Sequence, residues 1–542
     1  MRKKNAASPF KDLFLLKPFI MKIFTKILTI VFLFLFYLKP APGQVITSPQ
    51  IDDLVSRTLT AFDVPGIAVA VVKDGKIVHS KGYGIRSLTT KAKVDENTLF
   101  GIASNSKAFT AAALGMLMDD GKLTWDDKVI DHIPEFRMYN AYVTEEFTIR
   151  DLLTHRSGLG LGAGDLMFWP DSSDFTMKDI IYNLRYLKPV SGFRTKYDYD
   201  NLLYMVAGEV IERVSGKSYE EFVEERIMKP LQMNNSAGSW IRVKDKTNAI
   251  DAHAPVNGQV QVISRDRFRY GNSAGGINSS IADMSKWIIM QMDGGKYGDK
   301  QLFSHKVHNE MWTPQTMIPV NASPPYNTHF SSYGLGWFLS DVKGYQEVTH
   351  TGGLAGMVTQ VTLLPELKLG IIVFTNQQSG GAFTAITNTI KDSYLGIPRT
   401  DRVKIYSERM HASVARADSI TDNIWASIKA EQRKNSGKVD YKSFAGTYRD
   451  KWLGDIILSE KDGKFRFNAK RSPKLSGEVF FYKNNTFIVK WDRRSFDADA
   501  YLYFQTDKDG KPSSIKMEPI SFLTDFSFDF QDLNLQRVEP VK

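Results

Sequence analysis

The chain of 542 residues contains no cysteine. Without sulfur from cysteine there can be no disulfide framework, thiol nucleophile, cysteine-based zinc site or lipoprotein anchor. The fold must therefore be stabilised by packing, and a chain of this length with 42% hydrophobic residues has ample material for a large core.

Beyond residue 44 the chain also carries little net charge. The net charge is +10, but residues 1–44 hold eight lysines and arginines against one aspartate, so +7 of it lies in that segment and only +3 in the remainder. A charge this small, without aromatic residues interleaved among basic ones, predicts no nucleic-acid partner.

Residues 1–44 have the organisation of an export signal. Lys22 and Lys26 precede an apolar run from Ile27 to Leu38, and small residues follow near Gly43. We therefore predict a signal peptide and a secreted or periplasmic mature chain. An uncleaved N-terminal anchor is the alternative, but the apolar run is shorter than the roughly 20 residues of a membrane-spanning helix. We expect no stable membrane span in the mature chain.

Residues 45–398 combine strand-like and helix-like patterns. Gly66 to Val72 is a continuous apolar run rich in β-branched residues, and the chain returns through Lys76 to Tyr83 after an Asp-Gly turn. Further strands are predicted over 357–364 and 370–375, and helices over 103–118, 280–292 and 383–395. Strands at both ends with helices between them predict an α+β domain whose ends meet in one antiparallel sheet flanked by helices.

Residues 399–542 have different sequence patterns. Residues 399–438 are charged and periodic without strand signals, which predicts a helical linker. From 439 to 542, short aromatic and β-branched runs alternate with turns such as Asp462-Gly463 and Asp509-Gly510. This spacing is typical of a small all-β barrel or sandwich. We thus expect a C-terminal β-domain over 439–542.

Ser104 and Lys107 begin the predicted alanine-rich helix. Their i, i+3 spacing places the hydroxyl and the amine on one helical face, within mutual reach. A serine hydroxyl is a weak nucleophile until a base removes its proton, and lysine can be that base when burial lowers its pKa. The helix start also favours developing negative charge. The Ser-x-x-Lys pattern is not specific alone, because it recurs at Ser8, Ser340 and Ser513.

Two other segments supply a chemical context for this pair. Tyr199 and Asn201 lie two residues apart on a predicted loop, where the phenol can relay a proton and the amide can orient lysine and substrate. A second segment directly precedes the strand predicted over 357–364, and it consists of His350, Thr351, Gly352 and Gly353. Its glycines would let the backbone approach a substrate, with the Gly353 N–H available to an oxyanion.

Ser-x-x-Lys, Tyr-x-Asn and His-Thr-Gly, in this order, resemble the motifs of the serine β-lactamase and penicillin-binding-protein superfamily. The Tyr-x-Asn form and the histidine are similar to its class C-like branch of D-peptidases and esterases. The likeness covers about residues 50–396, and residues 441–542 resemble a β-domain often appended to such hydrolases. Supporting stretches are FGIASNSKAF (100–109), DLLTHRSGL (151–159), SAGGINS (273–279) and YGLGW (333–337).

The resemblance implies a β-lactamase-like fold, with a helical subdomain beside the sheet, and a serine hydrolase that cleaves an amide or ester through an acyl-enzyme on Ser104. Lys107 and Tyr199 would share proton transfer, and Asn201 would position the acyl side chain. The N–H groups of Ser104 and Gly353 would form the oxyanion hole. No cofactor is expected.

The expected substrate is a small molecule or peptide, such as a D-amino-acid peptide, a peptidoglycan-derived fragment, an ester or a β-lactam. Many β-lactamases carry lysine where this chain has His350, and a histidine with a reference pKa of about 6.5 is mostly neutral at pH 7. This favours a peptidase or esterase. The alternatives are a β-lactamase proper, or a penicillin-binding or cell-wall sensor that does not turn over.

Three other patterns receive a structural interpretation. His155 is interpreted as a structural residue. His305 and His308 lie three apart without a third ligand, so we predict no metal site. The run 271–275 fits Gly-x-Ser-x-Gly, but the polar stretch before it cannot be the buried strand that a nucleophile elbow needs, so we do not expect Ser273 to be the nucleophile.

Overall fold

The computed structural model describes residues 45–434 and 439–538. The predicted signal peptide lies outside these residues. Across the two described ranges, no helix is both long and apolar enough to cross a membrane.

The first domain begins with a helix and three strands, continues through a run of helices and contains most of its strands in its second half. Its strands are β1 (Gly66–Lys73), β2 (Lys76–Gly84), β3 (Phe100–Gly101), β4 (Ala252–Val256), β5 (Gln259–Ile263), β6 (Asn278–Ser279), β7 (Lys296–Tyr297), β8 (Lys300–Gln301), β9 (Thr316–Met317), β10 (Ser331–Tyr333), β11 (Phe338–Val342), β12 (Tyr345–Leu354), β13 (Met357–Leu364) and β14 (Leu369–Thr375). Its helices are Ser48–Ala61, Ser106–Asp119, Val129–His132, Ala141–Glu146, Ile149–Leu153, Met177–Asn183, Leu202–Ser215, Tyr219–Val223, Asn272–Gly275, Ile281–Met292, His305–Met311 and Gly380–Tyr394.

Eight of these strands form one antiparallel sheet in the order β2-β1-β14-β13-β12-β11-β10-β9. Strand β1 pairs with β14, with Ala70 opposite Ile372, so the two ends of the domain meet at neighbouring positions. The remaining strands form three two-stranded sheets, β3-β6, β4-β5 and β7-β8. The predicted α+β class, with the ends of the domain meeting in one main antiparallel sheet, is confirmed.

The central strands are covered on both faces, which explains their unbroken apolar sequence. Alternate side chains of β1 enter two different cores, because successive residues of a strand point to opposite faces. Ala68 and Ala70 join the core that contains the Ile281–Met292 helix. Ile67 and Val69 join the core that contains the Gly380–Tyr394 helix.

The Ser106–Asp119 helix, here called the Lys107 helix, lies at the centre of the domain. Every residue from Ser106 to Leu117 is buried. The sequence of this helix is apolar or small on all sides, as expected for a helix without an exposed face. The predicted start at residue 103 differs from the structure, where Ala103–Asn105 form a separate 3-10 turn before the helix, here called the Ser104 turn.

A helix and a barrel follow the first domain. The Arg402–Lys434 helix lies within the predicted linker and packs against both the Gly380–Tyr394 helix and the barrel. After the short helix Tyr441–Phe444, the barrel strands are β15 (Gly446–Asp450), β16 (Gly454–Lys461), β17 (Lys464–Ala469), β18 (Ser476–Lys483), β19 (Thr486–Trp491), β20 (Ala500–Thr506), β21 (Pro512–Pro519) and β22 (Leu535–Arg537).

The barrel is closed, which decides between the two predicted forms of the β-domain. Its strands follow one another in chain order, and β15 pairs with β22 through Tyr448 and Arg537. Aromatic rings fill the interior, for example Phe487 and Phe504 with centroids 5.1 Å apart. A closed barrel leaves no free sheet edge.

The barrel docks on the first domain through charged and polar contacts. Arg471 reaches Asp174 and Asp179, with nitrogen–oxygen distances of 2.6 and 3.0 Å. Lys474 pairs with the buried Asp171. These contacts hold the barrel so that residues 520–530, between β21 and β22, lie against the glycine-rich loop 158–173.

Gly336 allows a close approach between the YGLGW stretch and the Lys107 helix. Its φ is +80°, and a Cβ at this position would lie 2.7 Å from Ala108 Cα and 2.8 Å from the Lys107 carbonyl oxygen. Both atoms belong to backbone, which cannot move aside without displacing the helix that carries Lys107.

We predict that Gly336→Ala destabilises the protein far more than Gly344→Ala. Gly344 has a similar φ of +83° but open space around its Cβ position, so its substitution measures the left-handed backbone cost alone, about 1–2 kcal/mol. The clash at Gly336 should add roughly 1–3 kcal/mol from overpacking. Urea unfolding of both variants measures the difference, and equal losses of stability would contradict the assigned contact.

Candidate active site

The three sequence motifs meet at one cavity of about 380 Å³. The Ser104 turn precedes the Lys107 helix, the Tyr199–Asn201 loop precedes the Leu202–Ser215 helix, and the third motif lies at the end of β12. Of the residues predicted for the site, those that line the cavity are Ser104, Tyr199, Asn201, His350, Thr351 and Gly353. The volume is in the range of clefts that bind small molecules.

The Ser104 turn is held in an unusual backbone conformation. Ala103 has φ of +50°, a region that residues with a Cβ rarely adopt. The Asn105 amide stabilises the turn by donating to the Ile102 carbonyl oxygen and to Thr359 Oγ1 of β13, at 3.2 and 2.9 Å. Such local strain is typical of functional sites that the surrounding structure fixes.

Lys107 is fully buried beside the serine. Its Nζ lies 3.1 Å from Ser104 Oγ, 2.7 Å from Asn201 Oδ1 and 2.8 Å from the Ala274 carbonyl oxygen. Burial lowers the pKa of Lys107 to about 7, against the opposing effect of two nearby aspartates. A neutral amine at this distance can accept the Ser104 proton.

A buried carboxyl group supports Asn201. The amide Nδ2 donates to Asp165 Oδ2 at 2.8 Å while Oδ1 accepts from Lys107. Burial raises the pKa of Asp165 well above its usual range. A second neighbouring carboxyl group, Asp200, also has its pKa raised by burial, to about 7. Both ends of the Asn201 amide are therefore engaged within the protein.

Tyr199 is packed against both the lysine and His155. Its ring centroid lies 4.8 Å from Lys107 Nζ and 4.2 Å from the His155 ring. Burial raises the pKa of Tyr199 well above its usual range, while hydrogen bonding with the Ser104 side chain opposes this shift. The phenol is thus protonated at neutral pH and adjacent to the serine hydroxyl.

His350 is a neutral, fully hydrogen-bonded side chain. Its Nδ1 lies 2.6 Å from the Thr351 carbonyl oxygen, so Nδ1–H donates there. Nε2 therefore accepts from the Tyr333 hydroxyl at 2.9 Å. Burial, together with the Lys107 charge, lowers the pKa of His350 to about 3. At neutral pH His350 has no positive charge to attract an anionic substrate.

The two glycines of the third motif have different surroundings. A Cβ on Gly353 would meet no atom within 4 Å, and the residue faces the cavity beside the exposed Thr351. A Cβ on Gly352 would lie 2.3 Å from the Ile102 carbonyl oxygen and 2.8 Å from Ala103 Cβ. Gly352 thus lets β12 approach the Ser104 turn, which differs from the expectation that both glycines allow the backbone to approach a substrate.

The structure around Ser273 is not that of a nucleophile elbow. It is buried in the short Asn272–Gly275 helix, which no strand directly precedes. This segment nevertheless contributes to the site, because the carbonyl oxygen of the next residue, Ala274, accepts a hydrogen bond from Lys107.

The remaining histidines have structural surroundings. His155 Nδ1 accepts the backbone N–H of Asp200 at 3.1 Å, which fixes the loop that carries Tyr199. His308 is buried on the His305–Met311 helix and packs against Trp312, with ring centroids 4.3 Å apart and the ring planes tilted by 52°. Within the described part of the chain, no group of three or more His, Asp or Glu side chains is arranged to hold a metal ion.

Sequence reasoning missed several residues of the site. Asp165 belongs to the glycine-rich loop 158–173, and no sequence motif marks this carboxyl group. Phe526 and Ser527 belong to the barrel and line the same cavity. They carry no recognisable pattern, and only the docking of the barrel brings them to the serine.

Most of the cavity wall is apolar and aromatic. The rings of Phe168 and Phe268 lie 5.6 Å apart at the edge-to-face angle of 63°, and Phe526 packs edge-on against Tyr199 at 5.8 Å. Apart from Tyr199 and these rings, the larger side chains of the wall include Leu161, Trp169, Tyr197, Phe338 and Leu354. No lysine or arginine is among the residues that line this cavity.

The arrangement has the parts needed for acyl transfer. It joins a half-buried hydroxyl, an amine that can be neutral near pH 7 and a protonated phenol at one cavity. An apolar wall beside them can hold the substrate group next to the reacting carbonyl.

Comparisons with known proteins agree with the motifs. The β-lactamase family model matches residues 51–394, and a domain of unknown function, DUF3471, matches residues 432–537. "Unguisins hydrolase ungD" of Aspergillus violaceofuscus is 28% identical over 441 residues, which cover 76% of each chain. "Protein flp" of Staphylococcus aureus (strain MW2) is 29% identical over 343 residues, covering 61% of this chain and 63% of the relative.

A solved structure supports the same fold. The octameric penicillin-binding protein homologue from Pyrococcus abyssi superposes with a TM-score of 0.58 at 21% identity, covering 90% of this chain and all of that chain. Since the family model spans more than half of the sequence, the chain belongs to the β-lactamase family within the β-lactamase and penicillin-binding-protein superfamily.

Proposed function

We propose that the protein is a serine hydrolase that cleaves an ester or amide through an acyl-enzyme on Ser104. The observation that carries this proposal is the fully buried Lys107 amine, 3.1 Å from Ser104 Oγ. Burial lowers its pKa to about 7, so the neutral amine needed to accept the serine proton is available at physiological pH. Membership of a hydrolase family and a hydrolase-named relative add support.

In the proposed reaction, Ser104 Oγ attacks the substrate carbonyl as its proton passes to Lys107. The oxyanion is stabilised by the N–H groups of Ser104 and Gly353, each of which contributes roughly 2.7–4 kcal/mol in comparable sites. Tyr199, protonated beside the serine, delivers a proton to the leaving group. The Lys107 ammonium then reprotonates Tyr199, so that the serine proton has in effect passed to the leaving group. Water attacks the acyl-enzyme as Lys107 accepts one of its protons, this proton passes to Ser104 Oγ, and the acid is released.

We propose a substrate with an uncharged, bulky apolar group beside the scissile carbonyl. The cavity wall is mostly aromatic, and His350, at the position where many β-lactamases have lysine, is neutral. This favours peptidase or esterase activity, on D-amino-acid peptides, peptidoglycan fragments or esters, over hydrolysis of an anionic β-lactam.

We also propose that the mature chain is exported. The lysine-flanked apolar run within residues 1–44 supports secretion or transfer to the periplasm. An extracytoplasmic location would give access to peptidoglycan-derived substrates.

Ser104→Ala should abolish hydrolysis of p-nitrophenyl acetate, with kcat reduced by about 10⁴-fold or more, because the nucleophile is removed. Ser273→Ala is the matched control, a buried serine one residue before the Ala274 carbonyl, and should retain activity within about threefold. Circular dichroism verifies folding.

Intact-mass spectrometry after incubation with penicillin and activated esters locates the acyl group. Loss of activity in the Ser273 variant alone would refute the assignment, and one burst without turnover would indicate a sensor.

The rate should fall as pH drops below about 7, because protonated Lys107 cannot accept the serine proton. On this acidic limb of the pH profile, we expect kcat/KM to decrease about tenfold for each pH unit below 7. Asp200, whose pKa is also about 7, raises the pKa of Lys107 when ionised, so Asp200→Asn should move the limb to lower pH. Steady-state kinetics from pH 5 to 9 measure both effects. A rate independent of pH over this range would exclude Lys107 as the base.

Phe526→Ala should reduce the preference for bulky acyl groups. The ratio of kcat/KM for p-nitrophenyl phenylacetate over the acetate ester should fall by about tenfold, as expected for losing part of an aromatic contact. Phe522→Ala is the matched control, because Phe522 lies in the same segment, is 52% exposed and does not line the cavity. An unchanged ratio in the Phe526 variant would place the acyl group elsewhere.

A further inference from the structure

The barrel segment 520–530 reaches into the first domain and ends beside the active site. Ser527 and Asp529 are buried, although both belong to a connection between barrel strands. Ser527 Oγ donates to Asp165 Oδ2 at 2.8 Å, and Asp529 Oδ2 accepts from the Gly164 N–H at 2.6 Å. Two consecutive residues of the glycine-rich loop are thus held by the second domain.

A continuous chain of hydrogen bonds leads from the barrel to the serine. Ser527 donates to Asp165, Asn201 Nδ2 donates to the same carboxyl oxygen at 2.8 Å, and Lys107 donates to Asn201 Oδ1 at 2.7 Å. The last member, Lys107 Nζ, lies 3.1 Å from Ser104 Oγ. Every one of these hydrogen bonds is buried except the last, which opens to the cavity.

Asp165 decides which way the Asn201 amide points. A carboxyl oxygen that receives a hydrogen bond must face the amide nitrogen, which leaves the amide oxygen for the Lys107 amine. In the reversed orientation an amide N–H would face the lysine, where it would repel the ammonium form and would occupy the lone pair of the neutral amine that must accept the serine proton. Because Asp165 Oδ2 is fixed by Ser527, the barrel contributes to the placement of the amine.

The glycine-rich loop needs this external support. Gly158, Gly162 and Gly164 all have positive φ, with values of +90°, +69° and +79°. A segment with this many glycines has high conformational freedom of its own. Its position at Asp165 is therefore set by contacts, among them those from Ser527 and Asp529.

We propose that Ser527 of the barrel is a positioning residue of the catalytic centre, which orients Asp165 and, through Asn201, the Lys107 amine. The barrel is then a required part of the active site as well as a neighbouring domain. This inference rests on the proposed function, since it takes Lys107 as the base.

Several titratable groups surround Lys107 and must be considered in any test by pH. Asp165 and Asp200 raise its pKa, and burial of the amine lowers it. The other titratable groups facing this part of the site are Tyr199, Tyr204, His155, His350, Asp525 and Asp529. Ser527 contacts two of these carboxyl groups, Asp165 through its hydroxyl and Asp525 through its backbone N–H, and of the two only Asp165 raises the pKa of Lys107.

The test is Ser527→Ala in the full chain. We expect kcat to fall about tenfold, the usual consequence of losing one buried hydrogen bond to a charged group. KM should change by less than about twofold, because the Ser527 hydroxyl is turned toward Asp165. Ser514→Ala is the matched control, a buried barrel serine that bonds the Gln505 side chain at 2.8 Å, and should keep wild-type kinetics.

The pH profile separates positioning from a general structural role. Without the Ser527 hydroxyl, Asp165 loses a hydrogen bond that lowers its pKa, so it carries less negative charge at a given pH. Lys107 then loses part of the attraction that raises its pKa, and the acidic limb of kcat/KM should move to lower pH. Loosened packing alone would lower the rate without moving the limb.

The outcomes of these measurements separate failure of the inference from failure of the proposed function. A folded Ser527→Ala variant with an unmoved limb, whatever its kcat, would overturn the inference. If this variant does not fold, Asp165→Asn tests the same chain of contacts. Removal of the carboxylate charge should move the acidic limb of kcat/KM to lower pH, and an unmoved limb would again refute the inference. Full activity of Ser104→Ala would refute the proposed function instead, so the two failures are distinguishable.

Discussion

The whole site depends on one buried amine. A charged ammonium group without water is unfavourable unless it is paired, so a lysine in this position becomes neutral more easily. The fold supplies three oxygen atoms around Lys107 Nζ, from Ser104, Asn201 and Ala274, which hold the amine in either protonation state. The energetic cost of burying lysine is therefore converted into basicity suited to neutral pH.

Placing this amine beside the half-buried Ser104 hydroxyl requires several segments to approach one another closely. Gly352 of β12 lies against the Ser104 turn, and Gly336 lies against the first residues of the Lys107 helix. Ala103 takes up a backbone conformation that its Cβ disfavours. The large sheet and its two cores supply the packing that maintains this crowded arrangement.

Residues of the second domain form part of the site. The region matched by the β-lactamase model ends at residue 394, yet Phe526 and Ser527 line the cavity. A β-domain that appears from the sequence to be an appendage thus forms part of the wall and supports Asp165. If the proposed function holds, changes in the barrel would alter both the substrate preference and the placement of Lys107, without any change in the three motifs.

The sequence by itself determined the central strands, the α+β class and the β-domain that follows, because burial on both faces demands unbroken apolar runs and short runs between turns are typical of a barrel. It also located the three motifs that the fold brings to one cavity. Only the tertiary structure decided that the β-domain closes through β15 and β22, that Gly352 faces the Ser104 turn, and that Ser527 reaches Asp165. These contacts join residues far apart in the chain, and their strength depends on packing geometry that local hydrophobic patterns do not encode.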